Sequence, residues 1–275
     1  MGDLVELRTD PAFVGVEMTR AARCQMAGPA RLHDRWTLSM LEEGEELLWR
    51  HGALHTVRAG DVAIYAPGEV EVVLRRSGPG SRRADVSFDG VPEGPRGPFA
   101  VPTEAPTSSD VAAAVRRITA GSSGTRECEQ AITTLGAALR AVPPEPYSHA
   151  EPGSVARVRR YLLGHPTARV NLHELAEVAG ISEGHLVRIF HAWVGVPPHS
   201  YLQHLRVSVA RKLLARGLPC GAAAQHAGFA DSSHLTRLFR RLLGFTPSEY
   251  AEARRVWDQR GPLASRSSPP HAIAV

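Results

Sequence analysis

Short hydroxyl side chains and arginines recur on one face of a predicted helix near the C-terminal end of the chain. The polar positions on that face are Ser232, Ser233, Thr236, Arg237, Arg240 and Arg241. Hydroxyls and guanidinium groups can hydrogen-bond to base edges or to phosphates of DNA. A solvated surface helix rich in arginine would show the same pattern. This segment alone therefore leaves DNA binding and simple surface exposure both open.

The helix that would position these groups has a clear start and a clear buried face. Asp231 precedes the helix and can accept the free amide hydrogens of its first turn. The apolar side chains that recur at three- and four-residue steps are Leu235, Leu238, Phe239 and Leu242. Such a stripe is buried against a core, which turns the polar face outward.

A second unit of the same design lies earlier in the chain. Residues 172–178 predict a short apolar helix, Ala179-Gly180-Ile181 predicts a turn, and Ser182 is placed to cap a second helix. That helix would bury Leu186, Ile189, Phe190 and Trp193. Helix, turn and helix is the arrangement that places a recognition helix in the major groove of DNA. The repeat favours DNA binding over the surface interpretation.

One long helix is predicted between the two units. Val196-Pro197-Pro198 breaks the chain, and apolar residues then recur with helical spacing over residues 199–216 until Gly217 signals a helix end. At about 1.5 Å per residue this helix would be roughly 27 Å long, comparable with the ~34 Å between successive major-groove openings on one face of DNA. Both units could therefore contact the same face of a duplex.

Residues 154–256 resemble the DNA-binding domain of the AraC/XylS family of bacterial transcription regulators. The resemblance rests on LAEVAGISEGHLVRIFHAWVGVPPHSYLQHLRVSVARKLLARG for the first unit and the long helix, and on AGFADSSHLTRLFRRLLGFTPSEY for the second. It implies seven helices, two helix-turn-helix motifs and base contacts from the second helix of each motif. The implied positions are Gly184, Val187 and Arg188 in the first unit and Ser232, Ser233, Thr236 and Arg237 in the second. Flanking candidates for DNA contact are Ser182, His185, Arg240 and Arg241.

The first unit departs from a polar reading helix. Gly184 offers no side chain, and Val187 offers only an apolar contact such as one to a thymine methyl group. Arg188 would then supply most of the polar contact in this unit. The second unit departs at Pro219–Ala224, where small residues replace the branched apolar residues usual in that helix, so we expect looser packing there.

Charge separates the two halves of the chain. Residues 1–150 contain 16 basic and 20 acidic residues, whereas residues 151–275 contain 16 basic and 8 acidic residues. The half with the motifs is therefore the basic half, as binding to a phosphate backbone requires.

The sequence predicts an α+β multidomain fold: an N-terminal β-barrel with amphipathic helices, cupin-like by the resemblance of residues 33–72, and a C-terminal all-α domain for which the resemblance implies seven helices. The predicted divisions are an effector-binding or dimerisation domain over 1–140, a linker over 141–153, the DNA-binding domain over 154–258 and a disordered tail over 259–275. Proline and glycine are concentrated in the linker.

The barrel prediction rests on short alternating strands separated by glycine turns, such as the turn at Arg50-His51-Gly52. Residues 33–72 resemble the cupin-like domain that precedes this DNA-binding domain in many AraC-type regulators. Candidate effector-binding residues are His33, Trp36, Trp49 and Tyr65. Aromatic walls with few polar anchors suit a small organic molecule, although the same side chains could simply form the core.

No metal, cofactor or catalytic residue is predicted. A catalytic cupin presents several histidines and an acid to a metal, whereas His33 is followed by Asp34-Arg35, and Glu71 stands near the place of a late histidine. Cys24, Cys128 and Cys220 are isolated, which is typical of reduced thiols in a cytoplasm. The chain has neither a secretory signal nor an apolar run of membrane-spanning length, so we expect a cytoplasmic protein without a membrane partner.

Two amphipathic helices are predicted after the barrel, one through Val111 and Ile118 and one from Cys128 to Leu139. In the regulators that the chain resembles, such helices pair two subunits, which would make a homodimer. They could equally cover their own barrel.

These observations predict a sequence-specific transcription regulator that binds double-stranded DNA and a small-molecule effector, and RNA polymerase if it is an activator. Two alternatives stay open: a metal-dependent cupin enzyme fused to a DNA-binding module, and an architectural DNA binder without an effector.

Overall fold

The computed structural model describes residues 4–9, 16–23, 30–88, 99–101, 106–120, 151–260 and 272–274. Nine strands and eight helices lie in these ranges, and seven of the helices follow residue 150. The described part therefore divides into a sheet with one helix and an all-helical part.

The strands form one antiparallel sheet. Its strands are β1 (Leu4–Thr9), β2 (Val16–Arg23), β3 (Arg31–His33), β4 (Trp36–Arg50), β5 (Ala53–Arg58), β6 (Val62–Tyr65), β7 (Glu69–Phe88), β8 (Phe99–Val101) and β9 (Ala272–Ala274). The order across the sheet is β8-β6-β4-β7-β2-β1-β9, with β3 paired to β7 and β5 paired to β4. The predicted turn after Arg50 is confirmed as a two-residue hairpin: His51 and Gly52 have φ of 50° and 75°, as such a turn requires.

The closed cupin-like barrel is not confirmed. Among the described strands the sheet stays open, with β8 and β9 at its two ends. The long strands β4 and β7 pair over most of their length, and register shifts between Leu41 and Glu43 and between Leu47 and Leu48 bend them. Residues 272–274, expected within a disordered tail, instead pair with β1. Alternating sequence patterns predict strands, but closure depends on which distant strands pair.

The helices are α1 (Pro106–Ala120), α2 (Gly153–Gly164), α3 (Leu172–Ala179), α4 (Glu183–Val194), α5 (Pro198–Ala215), α6 (Cys220–His226), α7 (Ser232–Leu243) and α8 (Pro247–Arg260). The seven that follow residue 150 match the expected number. The amphipathic helix predicted from Cys128 to Leu139 and the linker residues 141–150 lie outside the described residues. Within the described part of the chain, no helix combines the length and the apolar character needed to cross a membrane.

Helix α1 packs on the sheet of its own chain. Val111 and Val115 are fully buried against Leu38, Met40 and other apolar side chains of the same sheet face. The apolar stripe of this helix is thus used within the chain, which agrees with the second of the two interpretations left open by the sequence.

Each helix-turn-helix unit has its own core, but the first core extends into the sheet. The second unit packs around Leu235, Phe239 and Phe245. In the first unit, Phe190 and Tyr201 share a cluster with Val70 of β7. Burial of apolar surface therefore holds the sheet against the first unit.

Close contacts shape the boundary between the sheet and the first unit. The Tyr201 hydroxyl donates to the carbonyl oxygen of Gly68 at 2.8 Å. A methyl group placed on Gly195 would lie 2.8 Å from Cγ2 of Val72 and 3.3 Å from Cδ1 of Trp49. Real Cβ atoms do not approach so closely, so the backbones meet at this point because residue 195 is glycine.

We predict that Gly195→Ala destabilises the protein by more than Gly217→Ala does. Both residues have a left-handed backbone, with φ of 88° and 85°, which costs an L-residue roughly 1–2 kcal/mol. Of the two, only Gly195 would bring an added methyl group against neighbouring atoms, because no atom lies within 4 Å of a methyl group placed on Gly217. Overpacking should add about 1–3 kcal/mol, measured as a lower urea midpoint. Equal midpoints for the two variants would contradict the close interface.

Candidate nucleic-acid interface

The second helix of each helix-turn-helix unit, α4 in the first and α7 in the second, is called its reading helix. Helix α7 begins and packs as its sequence predicts. The Asp231 carboxylate accepts the backbone N–H of His234 at 2.7 Å, and that hydrogen bond is the main reason the pKa of Asp231 is lowered. Leu235 and Phe239 are fully buried. The ring of Phe239 lies 5.9 Å from that of Phe245, just before α8, and 6.0 Å from that of Tyr250 on α8, so aromatic contacts fix the orientation of the helix.

The opposite face of α7 presents its predicted DNA-binding residues to solvent. Those that are exposed are Ser232, Ser233, Arg237, Arg240 and Arg241. Thr236 is half-buried, and its hydroxyl donates to the carbonyl oxygen of Ser232 at 2.8 Å. The hydroxyl oxygen can therefore face DNA only as an acceptor. Arg241 also reaches Oε1 of Gln203 on α5 at 3.4 Å.

The first reading helix, α4, exposes a smaller and less polar set. Ser182, Gly184, His185 and Arg188 are exposed, whereas Val187 is half-buried. A methyl group on Gly184 would lie 3.7 Å from Nη1 of Arg188, so the guanidinium extends back over the glycine. Ser182 has the extended backbone of an N-cap but makes no side-chain capping bond. Its hydroxyl is therefore not committed to the helix start.

The turn of the first motif is held by a residue that sequence reasoning missed. Arg157 on α2 donates from Nε to the carbonyl oxygen of Val178 at 3.1 Å and from Nη2 to that of Ala179 at 2.5 Å. These carbonyls end α3 just before Gly180, which takes the left-handed backbone of a helix end. The bonds fix α3 against α2 and so set the angle at which α4 leaves the turn. No local pattern links Arg157 to this turn, because the partners are 21 and 22 residues away.

The long helix α5 joins the two units as predicted. Its 18 residues correspond to roughly 27 Å. Tyr201 and Leu202 belong to the core of the first unit, and Ala210 and Leu214 belong to that of the second. The spacing of α4 and α7 is therefore fixed by one continuous helix.

The four predicted effector-binding residues do not lie together. The rings of His33 and Tyr65 stack at 3.9 Å. Trp36 packs against the core between α1 and the sheet, on the other side of β4, and Trp49 lies beside Gly195 at the boundary with α4. Only His33 and Tyr65 can belong to one site. Their binding of a ligand remains a prediction, as does DNA contact by the residues of α4 and α7.

The neighbourhood of His33 is polar and charged. Arg83 donates to Glu71 at 2.6 Å and also pairs with Glu46, while Nε2 of His33 lies 3.9 Å from Oε2 of Glu71. Burial and the charge of Arg31 lower the pKa of His33 to about 3, so the imidazole is neutral at pH 7. Within the described residues, no group of three histidine, cysteine, aspartate or glutamate side chains could hold a metal ion.

Residues 175–253 match the family model described as a helix-turn-helix domain. The regulator RipA of Corynebacterium diphtheriae is 36% identical over 115 residues, which cover 41% of this chain and 34% of RipA. A putative AraC-like transcription regulator of Streptomyces antibioticus is 34% identical over 97 residues, or 35% of this chain and 32% of that protein. The chain thus spans about a third of the length of these curated relatives.

A solved structure extends the likeness beyond the helical part. The structure of ToxT from Vibrio cholerae O395 superimposes with a TM-score of 0.50, covers 86% of this chain and 97% of ToxT, and shares 10% identity. At that identity the likeness concerns the fold: an N-terminal antiparallel sheet followed by a helical domain.

We predict that Arg237→Ala weakens binding to a specific DNA site by about 1–3 kcal/mol and relaxes base preference at one position. An arginine fork on this exposed face can bind guanine through two hydrogen bonds. Arg240→Ala is the matched control, because a contact to phosphate would weaken specific and random DNA alike. Affinity measurements on a set of single-base site variants distinguish the two. Equal loss on specific and random DNA for Arg237→Ala would exclude base reading.

Proposed function

We propose that this chain, a member of the AraC family of DNA-binding transcription regulators through its residues 175–253, is a sequence-specific regulator. Its N-terminal sheet domain controls the two reading helices through α5. The supporting observation is the contact between the sheet and α5. This contact connects the sheet, which contains no helix-turn-helix motif among its described residues, to the helix that sets the spacing of the two reading helices.

Asp34, in the turn between β3 and β4, makes this contact with three groups of α5. Its carboxylate accepts from the Ser208 hydroxyl at 2.5 Å and from Nη2 of Arg211 at 2.8 Å, and lies 3.4 Å from Nζ of Lys212. The Asp34 side chain is only 12% exposed, so the attraction is less screened than on an open surface. We call these four residues the Asp34 latch.

The Asp34 carboxyl group of the latch is ionised at neutral pH. Burial would raise the pKa of Asp34, but Arg211, then Lys212 and the Ser208 hydroxyl, outweigh burial and hold the pKa below its ordinary value. A depressed carboxyl pKa stabilises the folded state above the unfolded pKa, and this contribution is lost as the pH falls toward the folded value. The latch is therefore a constant feature near pH 7 rather than a sensor of pH in that range.

The docked sheet leaves both reading faces open. Arg188 on α4 and Arg237 on α7 are exposed while the sheet is in place. Docking thus does not block DNA by covering these side chains. It fixes α5 and the first unit before DNA arrives, which reduces the ordering cost of binding.

An effector site beside the latch would give control over this docking. Nε2 of His33 is buried and has no hydrogen-bond partner among the described residues, and Oε2 of the buried Glu71 lies 3.9 Å from it. His33 directly precedes Asp34 in the chain, so a molecule that moved His33 would move the latch. The charged surroundings favour a small polar molecule with hydrogen-bonding groups over an apolar one. A solved structure of ToxT is described as bound to an unsaturated fatty acid, so a regulator of this fold can hold a small molecule.

The other assignments follow from this role. We propose that the protein acts in the cytoplasm, has no catalytic activity of its own, and binds DNA as a homodimer. RNA polymerase is a partner if transcription is activated. The domain divisions near residues 140, 153 and 258 belong to the same proposal.

The test of the function is recovery of an operator. Purified protein should enrich specific fragments from sheared genomic DNA, and a mobility-shift assay should show preference over random DNA of the same length. Enrichment of no fragment over random DNA would exclude sequence-specific regulation. Retention of a metal together with turnover of a small molecule would instead favour the cupin-enzyme alternative.

We predict that a small polar effector raises the melting temperature and changes operator affinity together, because a ligand shifts DNA binding only through its different affinity for two conformations. His33→Gln should reduce both responses while the protein stays folded. The matched control is His55→Gln, since His55 is exposed on β5. Thermal shift and mobility shift over the same effector range measure the two. An effector whose dose response is unchanged in His33→Gln does not bind at this site.

We also predict that Asp34→Ala weakens operator binding about 3- to 10-fold although Asp34 does not face DNA. A double-mutant cycle with Arg211→Ala should give a coupling energy of about 0.5–2 kcal/mol in unfolding, because the two side chains touch. Glu43→Ala is the control, since Glu43 pairs with Arg82 at 2.8 Å on the exposed surface of the sheet. Unchanged operator affinity in a folded Asp34→Ala variant would contradict control through the latch.

A further inference from the structure

A cleft of about 360 Å³ lies between the start of the first helix-turn-helix motif and α5. Its lining residues are Arg169, Val170, Asn171, His199, Leu202 and Arg206. Two of these carry a positive charge, and the described residues place no acidic side chain in the lining. The cleft is therefore a concave, cationic surface that contains neither the predicted DNA-binding residues nor the residues of the Asp34 latch.

The two arginines repel each other across this cleft. Burial lowers the pKa of Arg206, and the charge of Arg169 lowers it further. Neither guanidinium forms a salt bridge with an acid among the described residues. Nε of Arg206 is buried and has no hydrogen-bond partner there, whereas Nη2 donates to the carbonyl oxygen of Ala168 at 2.9 Å. A bound anion would relieve this repulsion, because its negative charge would attract both guanidinium groups.

The cleft lies where the two reading units meet. Gly228 lies in the turn of the second motif, and a methyl group on it would lie 2.8 Å from the carbonyl oxygen of Thr167 and 3.2 Å from Nε of Arg206. Asn171 caps α3, the first helix of the first motif. In helix-turn-helix proteins this first helix crosses the DNA backbone. The phosphates between two successive major-groove segments would thus pass close to this junction.

The N-terminal domain occupies the other side of α5. His199, Leu202 and Arg206 follow one stripe of the helix. The residues that contact the sheet are Tyr201, Ser208, Arg211 and Lys212. At about 100° per residue the centres of the two stripes are roughly 150° apart. The docked sheet therefore leaves the cleft accessible.

From this geometry we infer that the cleft binds a phosphate of the DNA backbone between the two major-groove segments, with Arg169 and Arg206 as its ligands. The inference rests on the proposed binding of specific DNA. The inferred phosphate contact lies at the junction of the two helix-turn-helix units and does not depend on base sequence. Its role is to hold the duplex at the spacing that α5 sets.

The test is the salt dependence of DNA binding by full-length Arg169→Gln. Loss of one phosphate contact should lower the slope of log Kd against log salt by about 0.9 and weaken operator and random DNA by the same factor. Arg116→Gln is the control, because it removes an equal charge from the exposed face of α1. Arg206→Gln is the second choice of variant, because the Arg206 side chain also donates a hydrogen bond to the carbonyl oxygen of Ala168. A slope equal to that of Arg116→Gln would overturn the inference.

Phosphate ethylation of the operator locates the contact. Ethyl groups on phosphates between the two major-groove segments should interfere with binding of the wild type and lose that effect with Arg169→Gln. Interference confined to phosphates outside both segments would overturn the inference. The remaining probe is inorganic phosphate. If phosphate stabilises the wild type against unfolding but not Arg169→Gln, and the salt slope of DNA binding is the same in both proteins, the cleft binds free phosphate instead of DNA. Absence of any sequence preference in the wild type would instead be a failure of the proposed function.

Discussion

Helix α5 is the constraint on which the rest of the structure depends. Its first half contributes Tyr201 to the core of the first unit and its second half contributes Leu214 to the core of the second. Its 18 residues form one continuous helix of roughly 27 Å, which sets the separation of the two reading helices. The other faces of α5 are then available for contacts that tune this separation, which are the Asp34 latch on one side and the arginine cleft on another.

The interface between the sheet and α5 combines three kinds of interaction with different roles. Burial of Val70 among the side chains of the first unit supplies nonspecific attraction. The close approach at Gly195 fixes the relative position of the two surfaces, since a side chain at that position would separate them. The charged contacts of Asp34 are directional and hold specific groups of α5. A small change in the sheet can therefore alter the contacts of Asp34 without disrupting the burial of Val70 or the close approach at Gly195.

Much of the helical part could be predicted from local sequence. Asp231, Gly180 and Pro197 mark helix ends by capping and backbone rules that act over a few residues, and the structure confirms all three boundaries. The exposed face of α7 followed from the period of its buried leucines. Seven helices were implied by the family resemblance, and seven are present among the described residues after position 150.

What could not be predicted depends on residues that meet across long stretches of chain. Asp34 and Arg211 are 177 positions apart, and no spacing rule links an acid in a strand turn to a basic residue on a later helix. The open sheet and the separation of Trp36 from Trp49 have the same origin, because both depend on the pairing and bending of β4 and β7. Alternation shows that a residue faces one side of a strand, but not which element covers that side.

The most direct measurement of the central claim is a hydroxyl-radical footprint of the full-length protein on its operator. If α5 holds the reading heads at a fixed separation, each protein molecule should protect two segments on one face of the duplex, with centres about 10–10.5 base pairs apart. Lengthening the operator by half a helical turn between these segments should abolish one of the two protections. A single protected segment, or two segments that move independently as the operator is lengthened, would contradict the account.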